Sequence, residues 1–424
     1  MIRRNIGNAV RAALDDTPVI LVVGARQTGK TTLARSLVGD GTLATYLTFD
    51  DATTLGAARS DPQGFIGGLA GRVVLDEVQK APEVFPAIKA AVDRERTAGR
   101  FFLTGSANVL TLPRLSESLA GRMEVLTLWP LSQGEIKGRQ EGFVDAVLEG
   151  RGPRSGQKED SGLVLAELLK GGFPEVVRRS QPARRRAWFQ SYLTTILQRD
   201  IRDLSNVEGL VALPNLLSLL ATRSASLLNV ADLARMAGVP LTSIKRYLAL
   251  LETVFLVTRL PAWSRNRDKR LGKTPKVYVP DVGLLTHLLR LEPDAFDRDR
   301  TPLGPVLETF VVAELLKQAS WSESSPRLYQ FRTHMQAEVD IVLEDGRGRV
   351  AGIEVKASST VRPADFAGMR VLADAAGEAF VQGVVLYLGT DVVPFGKGLS
   401  AWPLSQLWKL GAHDETRSTT VRHR

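Results

Sequence analysis

The stretch GARQTGKT, residues 24–31, holds two glycines, a lysine and a threonine in the spacing G-x-x-x-x-G-K-[ST]. Gly24 and Gly29 let the backbone curl so that its N–H groups face a phosphate, and a helix starting at the lysine adds partial positive charge. Lys30 can reach the β- and γ-phosphates of a nucleoside triphosphate, and the Thr31 hydroxyl can ligate magnesium. The candidate nucleotide contacts are therefore Gly24, Ala25, Arg26, Gln27, Thr28, Gly29, Lys30, Thr31 and Thr32. Downstream, RVVLDEVQ (72–79) carries two acids at the end of an apolar run. Asp76 suits the water shell of the magnesium, and Glu77 suits a group that polarises the attacking water. In RFFLTGSAN (100–108) a further apolar run ends in Thr104, Ser106 and Asn108. Ser106 there can sense the γ-phosphate and orient water.

A second set of reactive side chains lies far along the chain, in AEVDIVLEDGRGRVAGIEVKAS (337–358). Glu354 and Lys356 are two residues apart, so they project from the same face of a strand. Asp340 can reach that face from the neighbouring strand. Glu308 sits near the start of a helix read in LGPVLETFVVAELLK (303–317). Carboxylates converging without a cation repel and shift toward protonation. A hard divalent ion relieves this, and oxygen ligands select magnesium or manganese. A lysine beside the ion can stabilise developing phosphorane charge or hold the water.

These groups need elements to hold them. VILVVG (19–24) is rich in β-branched residues and reads as a buried parallel strand leading into the Gly-rich loop. Further strands are expected at 44–50, 72–77, 100–105 and 123–128. Residues 136–160 lose apolar periodicity and gain glycine and charge, so their later part reads as a linker or exposed loop. LVLAELLKGGFPEVVRR and RRRAWFQSYLTTILQRDIRDLS read as amphipathic helices, with Arg184, Arg185 and Arg186 on a solvated face. LNVADLARMAGVPLTSIKRYLALLE (228–252) is a helix-turn-helix pattern: Val230, Leu233 and Ala234 mark one helix, AGVP the turn. Ile244, Leu248 and Leu251 form the buried stripe of the second helix, leaving Ser243, Lys245 and Arg246 outside. The strands VFLVTRL and KVYV flank a basic segment, which makes a winged helix whose wing carries Arg265, Arg267, Lys269, Arg270 and Lys273. Such a wing suits DNA phosphates, and winged helices also serve as protein-binding modules.

The five front strands resemble an AAA+-type P-loop core, for which the nucleotide is ATP. More specifically, YLTFDD, LDEVQ, LTGSAN, LAGR and WPLSQGE resemble a prokaryotic family of ATPases that carry a C-terminal domain of unknown function; GGFPE extends the likeness into the middle of the chain. In AAA+ proteins the position of Arg122, in SLAGRMEVLTL, is that of the arginine finger. The resemblance thus implies a homo-oligomer in which Arg122 reaches a neighbour's γ-phosphate. The helical Glu, then Asp, then Glu-x-Lys resembles the PD-(D/E)xK nuclease core. That likeness implies that Asp340 and Glu354 coordinate Mg2+ or Mn2+, that Glu308 adds a metal contact and that Lys356 orients the hydrolytic water. No proline precedes Asp340, a departure that leaves open a domain that binds a partner without cutting.

A length of 424 residues predicts two to four domains, and 44% hydrophobic with 24% charged content is that of a globular chain rather than a disordered one. With no cysteine, disulfides, thiolate zinc sites and thiol nucleophiles are excluded. The net charge of +9 favours anionic partners only weakly. PVILVVGA is far too short to span a bilayer, and no apolar run follows the basic N-terminus as in a secretory signal. The expectation is a cytoplasmic α/β protein with ATP and DNA as candidate ligands and no membrane partner. Its domains are expected at 1–135 (AAA+-type core with a parallel sheet), 136–225 (helical region with linker), 226–295 (winged helix) and 296–412 (restriction-endonuclease-like α/β domain), before a mobile polar tail at 413–424.

Overall fold

Short runs of Val, Ile, Leu and Phe that bury both faces suit parallel strands covered by helices. In the computed structural model, β1 (Val19–Val23), β2 (Thr45–Thr48), β3 (Val73–Asp76), β4 (Phe101–Gly105) and β5 (Met123–Thr127) pair in the order β2-β3-β4-β1-β5. Every pairing is parallel. Successive β1 side chains point to opposite faces. Ile20 and Val22 pack with Val10, Leu14, Leu33 and Leu37 from the helices Gly7–Asp16 and Lys30–Gly39. Val19, Leu21 and Val23 pack with Phe85 and Ile88 from the helix Val84–Arg94. Because β1 lies between β4 and β5, the loop after it opens at the crevice beyond the sheet's C-terminal edge. The structure describes residues 2–106, 119–154, 156, 165–201, 212–292 and 294–411; Asn108 and the expected tail lie outside them.

The chain continues as helices and then a mixed sheet. The helix Leu213–Thr222, β6 (Ser226–Leu227), the helices Val230–Ala237 and Leu241–Thr253, β7 (Thr258–Leu260) and β8 (Lys276–Tyr278) follow one another, with the strands in an antiparallel β6-β8-β7 sheet. Asn229 caps the first of the two paired helices by accepting from the Asp232 N–H at 3.0 Å, and Gly238 ends it at φ 64°. Leu233, Ile244, Leu248 and Leu251 are buried there, while Lys245 and Arg246 are exposed. Next, β9 (Arg327–Arg332), β10 (Glu338–Glu344) and β11 (Val350–Lys356) form an antiparallel meander. β12 (Phe380–Tyr387) and β14 (Leu399–Pro403) extend it in parallel, with β13 (Val393–Pro394) at the edge. The helix Leu303–Ala319 covers one face of this sheet, and Ala367–Ala376 covers the other.

The middle and rear of the chain share one apolar core, which runs from Leu168 and Leu216 through Leu248 and Tyr278 to Leu307, Ile353 and Leu407. Part of the segment 136–160, whose apolar periodicity is weak, belongs to it. Phe143–Leu148 is a helix, and Phe143, Val144, Ala146, Val147 and Leu148 are all buried. Gln382 of β12 donates to the carbonyls of Val147 and Arg151 at 3.0 and 3.1 Å, docking the segment on the mixed sheet. Such a short apolar run has too few turns for its period to be read from sequence.

Buried charge joins the border of the parallel sheet to this core. Lys317 donates to the Leu131 carbonyl at 3.0 Å and to Glu314 at 2.6 Å, and Glu314 accepts from the Gln133 N–H at 2.8 Å. Beside them Glu141 accepts from the Gly134 N–H at 2.9 Å, from Asn5 at 3.0 Å and from the Ser132 hydroxyl. Burial, reinforced by the negative charge of Glu314, raises the Glu141 pKa well above the ordinary carboxylate range. A group raised on folding stabilises fully below its unfolded value, and that stability is lost as pH climbs through the raised one. Melting curves of wild type and Glu141→Gln should therefore diverge between about pH 5 and pH 8, shifting steadily in favour of the variant. A pH-independent difference would show that Glu141 keeps an ordinary titration.

Candidate functional site

At Gly24 an added Cβ would lie 2.2 Å from the Leu128 carbonyl oxygen, so only glycine lets β1 pass so close to the end of β5. The loop then turns through Gln27 at φ 61° and Gly29 at φ 98°, a left-handed pattern that aims backbone N–H groups into one concavity. Lys30 is buried, and its ammonium donates to the carbonyls of Gly24 at 2.9 Å and Ala25 at 2.8 Å. Burial lowers its pKa to about 8, against the opposing pull of Glu77 and Asp76. The Thr28 hydroxyl donates to the Ala25 carbonyl at 3.0 Å. Two arginines anchor the loop, Arg4 from outside it and Arg26 from within it. Arg4 donates to the carbonyls of Thr28 and Trp129, both at 2.7 Å, and to Glu135 at 3.0 Å. Arg26 pairs with Asp200 at 2.8 Å, which ties the loop to the helical region.

Asp76 ends β3 in a buried position. Its Oδ2 accepts from the hydroxyls of Thr31 at 2.9 Å and Tyr46 at 2.6 Å, while Oδ1 accepts from Thr104. Burial and the hydrogen bond to Asp76 push the Tyr46 phenol up to about 12. Thr31 and Asp76 are hard oxygen donors held side by side, and they fit a magnesium ion. Glu77 follows at φ 61°, its N–H donating to the Thr104 hydroxyl at 3.1 Å. The Gln79 amide donates to the Glu77 carboxylate and to the Ser106 hydroxyl at 2.8 Å, joining the two groups expected to handle water. The loop and Glu77 open on a cavity of about 1130 Å³, lined by Arg26 to Thr32 and Glu77. Arg3, Arg11, Arg178 and Arg199 line it as well, so its wall is strongly cationic. The arrangement can hold a triphosphate and bring water to it. Arg122 stands apart: it precedes β5 at the opposite edge of the sheet, about 16 Å along a five-residue strand. There it pairs with Asp93 and donates to the Ala120 carbonyl at 3.1 Å, out of reach of its own chain's loop.

In the mixed sheet the structure brings Glu308, Asp340, Glu354 and Lys356 together. An extra residue between Val339 and Val342 shifts the β9–β10 register, and such a bulge re-aims the side chain at Asp340. The Asp340 N–H faces Glu354 Oε2 at 3.4 Å, and its Oδ2 accepts from the Val355 N–H at 3.0 Å. Lys356 bonds Glu354 at 2.9 Å and lies 3.8 Å from Asp365. Burial, with the Asp340 charge next, raises both Glu308 and Glu354 above the ordinary range. The cation among these acids belongs to the protein. Lys276, from β8, lies 2.8 Å from Glu308, 2.8 Å from Glu338 and 3.2 Å from Asp340. Tyr278, two residues on, donates to Glu308 at 2.7 Å. Burial works to deprotonate Lys276, but Asp340 and Glu308 outweigh it and its pKa lies above the usual lysine value. Among the described residues no group of three or more His, Asp or Glu could hold a metal ion. The divalent ion expected on Glu308, Asp340 and Glu354 thus does not fit as the side chains stand, because an ammonium fills its place.

Arg270, expected on the basic wing, is turned inward: it forks onto Glu344 and lies over the rings of Tyr329 and Trp263. Arg265 and Arg267 remain exposed. Sequence reasoning missed Arg4, Tyr46, Gln79, Lys276 and Tyr278. Gln79 lies inside the quoted LDEVQ, and Lys276 and Tyr278 alternate with apolar residues in KVYV, a weak sign of a polar strand face. Nothing in the order of residues announces Arg4, whose partners are more than 20 positions away.

Residues 16–137 match a family described as an AAA domain. Residues 163–295 and 303–407 match two families described as domains of unknown function, DUF8612 and DUF4143. Uncharacterized proteins of Mycobacterium tuberculosis and Mycobacterium bovis are each 33% identical to the chain over 416 residues, 97% of this chain and 86% of the relative. Among solved structures, a variant of RuvB from Thermotoga maritima shares 16% identity over 60% of this chain and 86% of that one, with a TM-score of 0.27. A signal transduction ATPase with numerous domains from Pyrococcus horikoshii shares 12% over 75% and 46%, with a TM-score of 0.26. Likenesses this slight carry no functional weight.

Because Arg4 ties the loop's Thr28 carbonyl to Trp129 and Glu135 with three bonds from one fixed fork, Arg4→Ala should cost about 2–4 kcal/mol in denaturant unfolding and weaken nucleotide binding. Arg4→Lys keeps the charge without the fork and should rescue little of either. Full rescue by lysine would mean that the charge alone matters.

Proposed function

The chain belongs to one family with these two mycobacterial proteins, and on its AAA domain we propose that it binds and hydrolyses ATP with magnesium. The observation that carries this reading is the gathering of Lys30, Thr31, Asp76 and Glu77 at one sheet edge, beside a cavity of nucleotide size with a cationic wall. Lys30 and the backbone of residues 24–32 bind the phosphates, and Glu77 accepts a proton from the attacking water while Gln79 and Ser106 hold it in line. Magnesium, held by Thr31 and Asp76, would neutralise phosphate charge. Arg122 completes the site of a second copy, so the active form is a homo-oligomer. Lys30→Ala should abolish tight ATP binding, whereas Glu77→Gln should bind ATP and hydrolyse it at least about a hundredfold more slowly. Unchanged turnover in Glu77→Gln removes the base assignment. Arg122→Ala should keep ATP affinity and lose turnover, and wild-type turnover per subunit should rise with protein concentration. Full activity from a strict monomer contradicts that role.

Behind the ATPase we propose the helical region at 136–225, a winged helix at 226–295 and a PD-(D/E)xK-like domain at 296–412. The order of two helices and three antiparallel strands supports the winged helix. Its partner is nucleic acid, met by Lys245 and Arg246 on the second helix and by Arg265 and Arg267 on the wing. Changing Lys245 and Arg246 together to Glu should weaken binding to duplex DNA and flatten its salt dependence. Binding indifferent to that change assigns the surface to a protein partner.

For the rear domain, the first reading is a nuclease in which Asp340 and Glu354 would hold an ion and Lys356 would assist the water, a reading that the ammonium in the ion's place opposes. The Lys276 ammonium inside the acid cluster favours the second one: a nucleotide-driven switch whose nuclease-like domain engages its partner without cutting. Incubation of the full chain with plasmid DNA, ATP and Mn2+ separates them, since only the first yields new ends.

A further inference from the structure

We infer that Lys276 is the resident cation of the rear acid site, standing where the divalent ion of a PD-(D/E)xK nuclease would stand, so that the free protein holds this site closed without metal. The inference rests on the non-cutting reading of the domain. That reading fails if Mn2+-dependent ends appear in DNA, whereas this one stands or falls on metal binding alone.

The geometry matches donor to acceptor. A lysine ammonium has three N–H donors and no acceptor, and three carboxylates surround Lys276: Glu308 and Glu338 at 2.8 Å and Asp340 at 3.2 Å. Its side chain is 4% exposed. A hard divalent ion on Glu308, Asp340 and Glu354 would share two of these carboxylates, Glu308 and Asp340, and would need their oxygens at about 2.0–2.6 Å, where it would meet the charge repulsion of the ammonium. Other cations complete the balance from separate elements. Arg332 of β9 lies 3.9 Å from Glu338, and Lys356 of β11 lies 2.9 Å from Glu354.

The source of Lys276 gives the contact its consequence. Its strand, β8, belongs to the three-stranded sheet, whereas its partners come from the helix Leu303–Ala319 and from β10. Tyr278 reinforces the grip on Glu308. At the same border the Gln330 N–H donates to the Pro261 carbonyl at 2.9 Å, and Trp263 donates back to the Gln330 carbonyl at 2.6 Å. Lys276 therefore acts as a strut between the two sheets as well as a substitute for the ion.

The test uses the full chain without nucleotide or DNA, in a Thr31→Ala background that silences the front magnesium site. Mn2+ binding is followed by the loss of the free-ion electron paramagnetic resonance signal. The parent and its Asp340→Asn derivative should titrate alike, with no Asp340-dependent site. Lys276→Met should gain one Mn2+ site per chain, and Lys276→Met with Asp340→Asn should lose it again. In EDTA, Lys276→Met should melt below the parent, and Mn2+ should raise its melting temperature. A parent site that Asp340→Asn removes overturns the inference, as does a folded Lys276→Met that gains no site. Should Lys276→Met fail to fold, the comparison of the parent with Asp340→Asn decides alone: a site lost overturns the inference, and identical titrations uphold it.

Discussion

A charge taken out of water must be paired, and in this chain much of that pairing falls on one helix. Most of Leu303–Ala319 is buried, including Glu314, Lys317 and Gln318. Glu308 on its early turns meets Lys276 and Tyr278. Glu314 and Lys317, about 9 and 14 Å further along the axis, meet the backbone of Gln133 and Leu131 just beyond the parallel sheet. Stripping one partner from such a pair costs about 3–5 kcal/mol, because the other charge stays behind. The helix therefore holds a direct bond to the border of the front sheet near one end and to the rear acid site near the other.

The front site shows how much restraint a phosphate loop needs from outside itself. Gln27 and Glu77 sit at positive φ, a conformation worth about 1–3 kcal/mol of strain in residues other than glycine. It persists because the surroundings dictate it. Arg4 holds the Thr28 carbonyl, Arg26 is tied to Asp200, and Thr104 takes the Glu77 N–H while supporting Asp76. Several of these supports reach outside the five-stranded sheet, to the N-terminal segment through Arg4 and to the helical region through Asp200.

The two ends of the molecule solve opposite electrostatic problems. At the front, cations line an open cavity and wait for an anion. At the rear, carboxylates are gathered and the protein supplies its own cation. The inward turn of Arg270 onto Glu344 follows the same rule, since a buried carboxylate at the edge of β10 recruited a cation that otherwise would have faced solvent.

Local order alone determined much of this protein. The period of apolar residues and the spacing of glycines mark all five parallel strands within two residues, because a buried strand and a tight loop each impose a pattern on consecutive positions. The same logic marks the paired helices at 230–253 and the convergence of Asp340, Glu354 and Lys356, since strand pairing relates near neighbours. Only the tertiary structure decided what those groups face. Lys276 is 64 positions from Asp340, Arg4 is 131 from Glu135, and Gln133 is 181 from Glu314. No periodicity links such pairs; they meet because closing a common core leaves each buried charge a single place to find its opposite.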